Sequence, residues 1–334
     1  MDIDKLVVLS VKHNASDLHL CTGHQPMLRI DGELRPVEEI EAVSHSQMAG
    51  WCETLLTQEQ RQQLQGSGQL DLALTLAGGS RLRANFFLQN GGVSIALRRI
   101  ASACPTLAEL ETPEIIPALI QREDGLILVT GATGSGKSTT LAAMIDFINQ
   151  HQRRHILTLE DPIEFIHHSQ RSLIQQRELG RDTRSFDEAL RAALREDPDV
   201  ILLGELRDTA TIRLALTAAE TGHLVLATLH TRSAPQAVER LVDVFPVEEK
   251  PYVRAQLANS LQAVIAQKLL SKPGGGRVAI YEILTATAAV SSMIREGKTH
   301  QLASVLQTGA QSGMQTFEQG LQQRIQAGLL SGAA

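Results

Sequence analysis

Aromatic residues make up only 3% of the 334-residue chain, so Leu, Ile, Val and Ala must fill its core. The three cysteines, Cys21, Cys52 and Cys104, are far apart, odd in number and form no C-x-x-C pair. They argue against a disulfide framework and against a cysteine zinc site. No apolar stretch approaches the ~20 residues that a membrane helix needs. At the amino terminus Asp2, Asp4 and Lys5 flank only the short run Leu6 to Leu9, which does not make a signal peptide. The expected location is therefore the cytoplasm. Positive charge is not in excess either: 31 Lys and Arg stand against 37 Asp and Glu, a net charge of −6. That is poor footing for gripping nucleic acid through its phosphates, and no nucleic-acid partner is expected. What remains, 43% hydrophobic and 20% charged residues, is ordinary for a globular chain of two domains.

The chain changes rhythm near residue 124. Before it, Ile3 to Lys12 reads as an amphipathic helix and Ser16 to Leu20 alternates like a half-buried strand. Met27 to Ile30 and Leu34 to Val37 flank Asp31-Gly32, a hairpin signal. Ser44 to Leu64 reads as one helix carrying Trp51. Leu70 to Leu76, Arg81 to Leu88 and Val93 to Ile100 follow as strands, separated by Gly78-Gly79 and Asn90-Gly91-Gly92. Residues 1–100 thus have the pattern of a small α+β domain. The proline-containing stretch 101–123 reads as a connection. From 124 to about 285 strands at 125–130, 155–159, 199–203 and 223–229 alternate with helices at 137–149, 185–196 and 208–221. That alternation implies an α/β domain with a parallel sheet. Residues 286–334 read as a helical, polar carboxy-terminal segment.

The most informative run is Gly131-Ala132-Thr133-Gly134-Ser135-Gly136-Lys137-Ser138, followed by Thr139. It fills the G-x-x-x-x-G-K-[ST] pattern between an apolar strand and a helix with Leu141, Met144, Ile145 and Ile148 at helical spacing. Glycines let backbone N–H groups curl around phosphate oxygens, and the helix N-terminus adds partial positive charge. Lys137 would reach the β- and γ-phosphates of ATP, and the Ser138 hydroxyl would ligate Mg2+. Ligands in open parallel sheets bind beyond the carboxyl ends of the strands. Three further groups fall at such ends: the acidic run Glu160 to Glu164, Gly204-Glu205, and His230. Glu205 is the candidate to position or deprotonate water, with Glu164, then Glu160, as a second carboxylate. A simple pairing of Glu205 with Arg207 is the plain alternative. His230 stands on the phosphate edge; His223, seven residues earlier on the same expected strand, faces another surface. His167-His168 lacks metal-ligand spacing and reads as solvated. Arg81, Arg83, Arg98, Arg99 and the arginines of the second half are all candidates to stabilise phosphoryl transfer.

These boxes together, GATGSGKS, ILTLEDPIEF, DPDVILLGELRD and TAAETGHLVLATLHT, resemble the secretion-superfamily ATPases. The strongest likeness is to the PilT family of type IV pilus retraction ATPases. It extends to ASDLHL, MLRIDGELR and GGGRVAIYEIL and covers nearly the whole chain. The resemblance implies a PAS-like amino-terminal domain, a RecA-like P-loop NTPase core and a homo-hexamer with ATP between domains. It implies Lys137, Ser138, Glu164, Glu205, His223 and His230 as the family's box residues. The partners implied are the type IV pilus machinery and its inner-membrane platform protein, which would hold the chain at the membrane periphery. The absence of cysteine after Cys104 favours the retraction branch over the assembly and type II secretion branches. Two segments depart from the family: Ala289 to Glu296 reads AVSSMIRE where AIRNLIRE is usual, and Asn90 lacks a following arginine. The competing expectations are a diverged assembly or secretion motor, a RecA-like nucleic-acid translocase, and a scaffold that binds ATP without useful hydrolysis.

Overall fold

A computed structural model describes residues 2–30, 33–76, 79–100 and 103–331. The chain divides into two compact units, residues 1–103 and 104–334.

The first unit comprises α1 (Ile3–Lys12), β1 (Asp17–Cys21), β2 (Met27–Ile30), β3 (Glu33–Pro36), α2 (His45–Leu55), α3 (Gln58–Ser67), β4 (Gln69–Thr75), β5 (Arg81–Gln89) and β6 (Gly92–Arg99). Its strands form one antiparallel sheet in the order β3-β2-β1-β6-β5-β4. Leu18, Leu20, Phe86, Ile95 and Leu97 of the sheet pack with Leu6 and Val7 of α1, Met48 and Trp51 of α2 and Leu64 of α3. β2 and β3 pair as a hairpin, while its expected turn, Asp31-Gly32, lies outside the described residues, as does Gly78 between β4 and β5. The single helix expected over Ser44 to Leu64 is two. Leu56 is extended, and Thr57 opens α3 with a reciprocal capping box to Gln60. The T-x-x-Q signature of that cap was present in the sequence.

The second unit holds α4 (Ile115–Leu119), β7 (Gly125–Thr130), α5 (Lys137–His151), β8 (His155–Glu160), β9 (Leu173–Glu178), α6 (Phe186–Ala193), β10 (Val200–Leu203), α7 (Thr209–Glu220), β11 (Leu224–Leu229), α8 (Ala234–Asp243), α9 (Lys250–Ser260), β12 (Leu261–Ser271), β13 (Arg277–Thr285), α10 (Ala288–Arg295), α11 (Leu302–Thr308) and α12 (Phe317–Gln326). Seven strands form one sheet ordered β13-β12-β7-β11-β10-β8-β9. All neighbours are parallel except the β12–β13 hairpin. β7, β10 and β11 are buried at every residue, because helices cover both faces, as continuous apolar runs require. Leu126, Leu128, Ile201, Leu203, Val225 and Ala227 pack on the side of α6 to α9. Their alternates Ile127, Val129, Val200, Leu202, Leu224 and Leu226 pack with Met144, Ile145 and Ile148 of α5. The stretch expected as a connection is built into this unit from Cys104 onward: Leu107, Ile116, Leu119 and Ile120 belong to the same core as α5; Ala101 lies outside the described residues. β9, β12 and β13 were not expected, although two apolar runs around Gly274-Gly275-Gly276 are a hairpin signal. The architecture is an α/β fold, with a mostly parallel sheet covered by helices on both faces and the glycine-rich loop leaving an inner strand, β7.

Candidate nucleotide-binding site

β7 sits inside the sheet between β12 and β11, so the loop that leaves it at Thr130 is anchored on both sides. The Thr130 hydroxyl bonds to Leu229 O at 3.1 Å and Thr231 O at 3.0 Å, tying the carboxyl ends of β7 and β11 together. Leu206 N donates to Thr228 O at 3.0 Å and Gly204 N to Leu159 O at 2.8 Å. The ends of β8, β10, β11 and β7 are therefore laced into one edge. The loop 131–136 rises from that edge and turns into α5. Gly136 is left-handed (φ 89°) and gives α5 no side-chain cap. The first-turn N–H groups of a long helix thus open onto the exposed residues Ala132, Thr133 and Gly134, a ready anion seat. Ser138 is exposed and Thr139 half-buried at the same helix start. The Ser135 hydroxyl is buried without a protein partner. This donor set fits a polyphosphate.

Lys137 is 8% exposed. Its ammonium donates to Gly131 O at 2.8 Å and Ala132 O at 2.9 Å and stands 3.5 Å from His230 Nδ1. Burial pushes its pKa down, and the charges of Glu205 and Glu164 push back. Both carboxylates are therefore close enough to act on the P-loop lysine. His230 Nε2 lies 3.1 Å from Glu205 Oε1. An ammonium can only donate, so Nδ1 accepts from Lys137 and Nε2 carries the proton offered to Glu205. Glu205 Oε2 accepts from Arg207 Nε at 2.8 Å. The plain pairing of Glu205 with Arg207 thus exists, and Glu205 also reaches His230 and, electrostatically, Lys137. At Gly204 an added Cβ would stand 3.3 Å from Leu159 O, a close approach between the ends of β10 and β8.

The structure brings Lys137, His230, Glu205 and Glu164 together and sets other candidates apart. Glu160 is half-buried, and desolvation raises its pKa, with Glu164 and Glu178 adding to the rise. Its carboxylate accepts from Thr158 Oγ1 at 2.7 Å and Gln176 Nε2 at 3.1 Å, both within the sheet. His223 and His230 are not strand residues: β11 runs only from Leu224 to Leu229, and the two bracket it. His223 Nδ1 sits 2.9 Å from Ala218 O at the end of α7, away from the phosphate edge. His167 is half-buried rather than solvated, and burial lowers its pKa. Sequence reasoning missed Gln267, a buried β12 residue that bonds to the P-loop; a polar residue within an apolar run was the available signal.

Residues 1–331 match the family described as Type II/IV secretion system protein. This chain belongs to that family. Among individual relatives, it is 57% identical over 330 residues to the uncharacterised protein YggR of Escherichia coli K12, covering 99% of this chain and 100% of that one. It is 50% identical over 331 residues to the type IV pilus retraction ATPase PilT of Pseudomonas aeruginosa PAO1, covering 99% of this chain and 96% of the relative. Among solved structures, the pilus retraction motor PilT with bound ADP superimposes with a TM-score of 0.93 at 43% identity, covering 99% of this chain and 95% of that one.

Proposed function

We propose that this chain is an ATP-hydrolysing motor that powers type IV pilus retraction, the disassembly of pilin subunits. The observation that carries the reading is the convergence of Lys137, His230, Glu205 and Glu164 beside an uncapped helix N-terminus. The 50% identity to a retraction ATPase over almost the whole of both chains supports the purpose of that chemistry.

In this reading Gly131 to Thr139 cradle the phosphates through backbone N–H groups. Lys137 would exchange its two loop carbonyls for phosphate oxygens, and Ser138 would hold Mg2+ when it accompanies the nucleotide. The metal supplies charge neutralisation for phosphoryl transfer. Glu205 orients and deprotonates water, while His230, hydrogen-bonded to Glu205 and facing Lys137, reports the γ-phosphate to the base. Glu164 supplies the second carboxylate. The working assembly is a homo-hexamer acting through the inner-membrane platform protein of the pilus machinery. That places a cytoplasmic protein at the membrane periphery.

The test is ATP turnover by the purified protein beside Lys137→Ala, together with surface pilin in cells with and without the protein. The reading expects turnover that Lys137→Ala abolishes, and more surface pilin when the protein is missing. Retained turnover in the variant sinks the site. Less surface pilin in its absence makes the protein an assembly motor, and DNA-stimulated turnover with steep salt dependence makes it a translocase.

A further inference from the structure

β12 runs parallel to β7 with Ala266 paired to Thr130, the last residue of β7. The next β12 residue, Gln267, still pairs with Tyr281 of β13 but on the β7 side is level with the P-loop. It is 3% exposed. Its Nε2 donates to Ser135 O at 2.8 Å, and its Oε1 accepts from Thr140 Oγ1 at 2.7 Å. The orientation is forced: a backbone carbonyl only accepts, so the amide nitrogen must face Ser135 and the oxygen must face the threonine hydroxyl. Thr140, in the first turn of α5, is 1% exposed. The same residue meets both glycines that bound the loop. A Cβ on Gly131 would stand 2.5 Å from Gln267 O, and one on Gly136 would stand 2.8 Å from Gln267 Nε2. Gln267 also lines a cavity of about 390 Å³ with Gly131 to Ser135. One residue of a neighbouring strand therefore approaches the start of the phosphate cradle through its backbone carbonyl, and the end and the helical continuation through its side chain.

We propose that Gln267 is a positioning residue for the nucleotide. By tying the Ser135 carbonyl to the Thr140 hydroxyl, it keeps the loop's N–H groups aimed at a phosphate before any phosphate arrives. This rests on the reading of residues 131–139 as the ATP site. A ligand then finds the loop already ordered, and the ordering cost is not charged against its affinity. The amide has no role in moving protons or charge, so its loss should weaken binding while leaving the chemical step nearly intact.

The decisive variant is Gln267→Glu, nearly equal in shape. Ionised, its carboxylate has no donor for Ser135 O and sets two acceptors against each other. Protonated, one oxygen donates to Ser135 O and the other accepts from Thr140. Titration of the full-length protein with a fluorescent N-methylanthraniloyl ATP at about pH 8 should show affinity lower by about ten- to a hundredfold, the size of one lost buried hydrogen bond. The deficit relative to wild type should shrink as the pH falls towards about 6 and the buried carboxyl takes up its proton. At saturating ATP, kcat should stay within about threefold of wild type, whereas loss of a general base costs about a hundredfold or more. Thr140→Val, which removes one arm of the clamp, should weaken binding in the same direction and by less. A lower melting temperature with unchanged nucleotide affinity and no pH-dependent recovery would reduce Gln267 to a packing residue and overturn the proposal. Binding by wild type that Lys137→Ala abolishes but neither clamp variant alters defeats this inference alone. Failure of wild type itself to bind defeats the ATP site and, with it, the clamp.

Discussion

Glu205→Gln separates chemistry from folding. The carboxylate is 20% exposed and holds two partners, His230 Nε2 at 3.1 Å and Arg207 Nε at 2.8 Å. Glutamine keeps the shape and can still accept from one partner, but it cannot take a proton from water. Removing a general base costs about 10²–10⁴ in rate. The stability cost is small because Arg207 is 64% exposed, and such a pair is worth about 0–1 kcal/mol. For a unit of this size that is a shift of at most about 4 °C in Tm. Binding should not suffer, because the lost negative charge was competing with phosphate for Lys137. The expected pattern is ATP affinity equal to or tighter than wild type, kcat lower by at least about a hundredfold, and near-native melting. Phosphate release under saturating ATP, isothermal titration and a thermal scan on the same preparation read all three. Turnover within threefold of wild type would remove Glu205 from the mechanism, and a rate loss that tracks unfolding would make it structural.

Two further outcomes follow from charges and burial elsewhere. At Asp17, burial pushes the carboxyl pKa up, but hydrogen bonds from Arg98 and Ser16 and the Arg98 charge outweigh it and hold the value below the ordinary 3.8. A folded pKa below the unfolded one means stability fully present above 3.8 and lost as pH falls through the folded value. Urea midpoints between about pH 5 and about pH 2.5 should therefore fall less steeply in Asp17→Asn than in wild type; parallel curves would refute the assignment. Burial, with the charges of Asp146 and Glu109, pushes the Cys104 thiol up to about 12. Ellman's reagent at about pH 8 should label it in the unfolded chain and leave it nearly untouched in the native one; equal rates would contradict its burial.

The phosphate loop was legible because its chemistry is local: glycines, lysine and serine at fixed spacing, in a strand-to-helix context that the fold reproduces. The carboxyl-end logic of a parallel sheet also placed Glu205 and His230 on one edge without any contact being visible. What stayed hidden was set by distance in the chain. Gln267 meets Thr140 across 127 positions, and nothing in the run LQAVIAQKLLS says which loop its amide will face. The acidic box reads as three acids near one turn, yet hydrogen bonds from Thr158 and Gln176 turn Glu160 into the sheet. The histidines were misplaced onto a strand because apolar patterning extends by habit to its polar neighbours. The break between α2 and α3 was missed because helical apolar spacing continues across it, while its cap depends on one threonine.

Two loop carbonyls accept from the Lys137 ammonium. A buried ammonium with nothing to bind is costly, and a cradle built only for phosphate would strand one whenever product left. Here the loop solvates its own cation. An incoming nucleotide must in turn displace those carbonyls, and its measured affinity is the difference between two well-made sets of bonds.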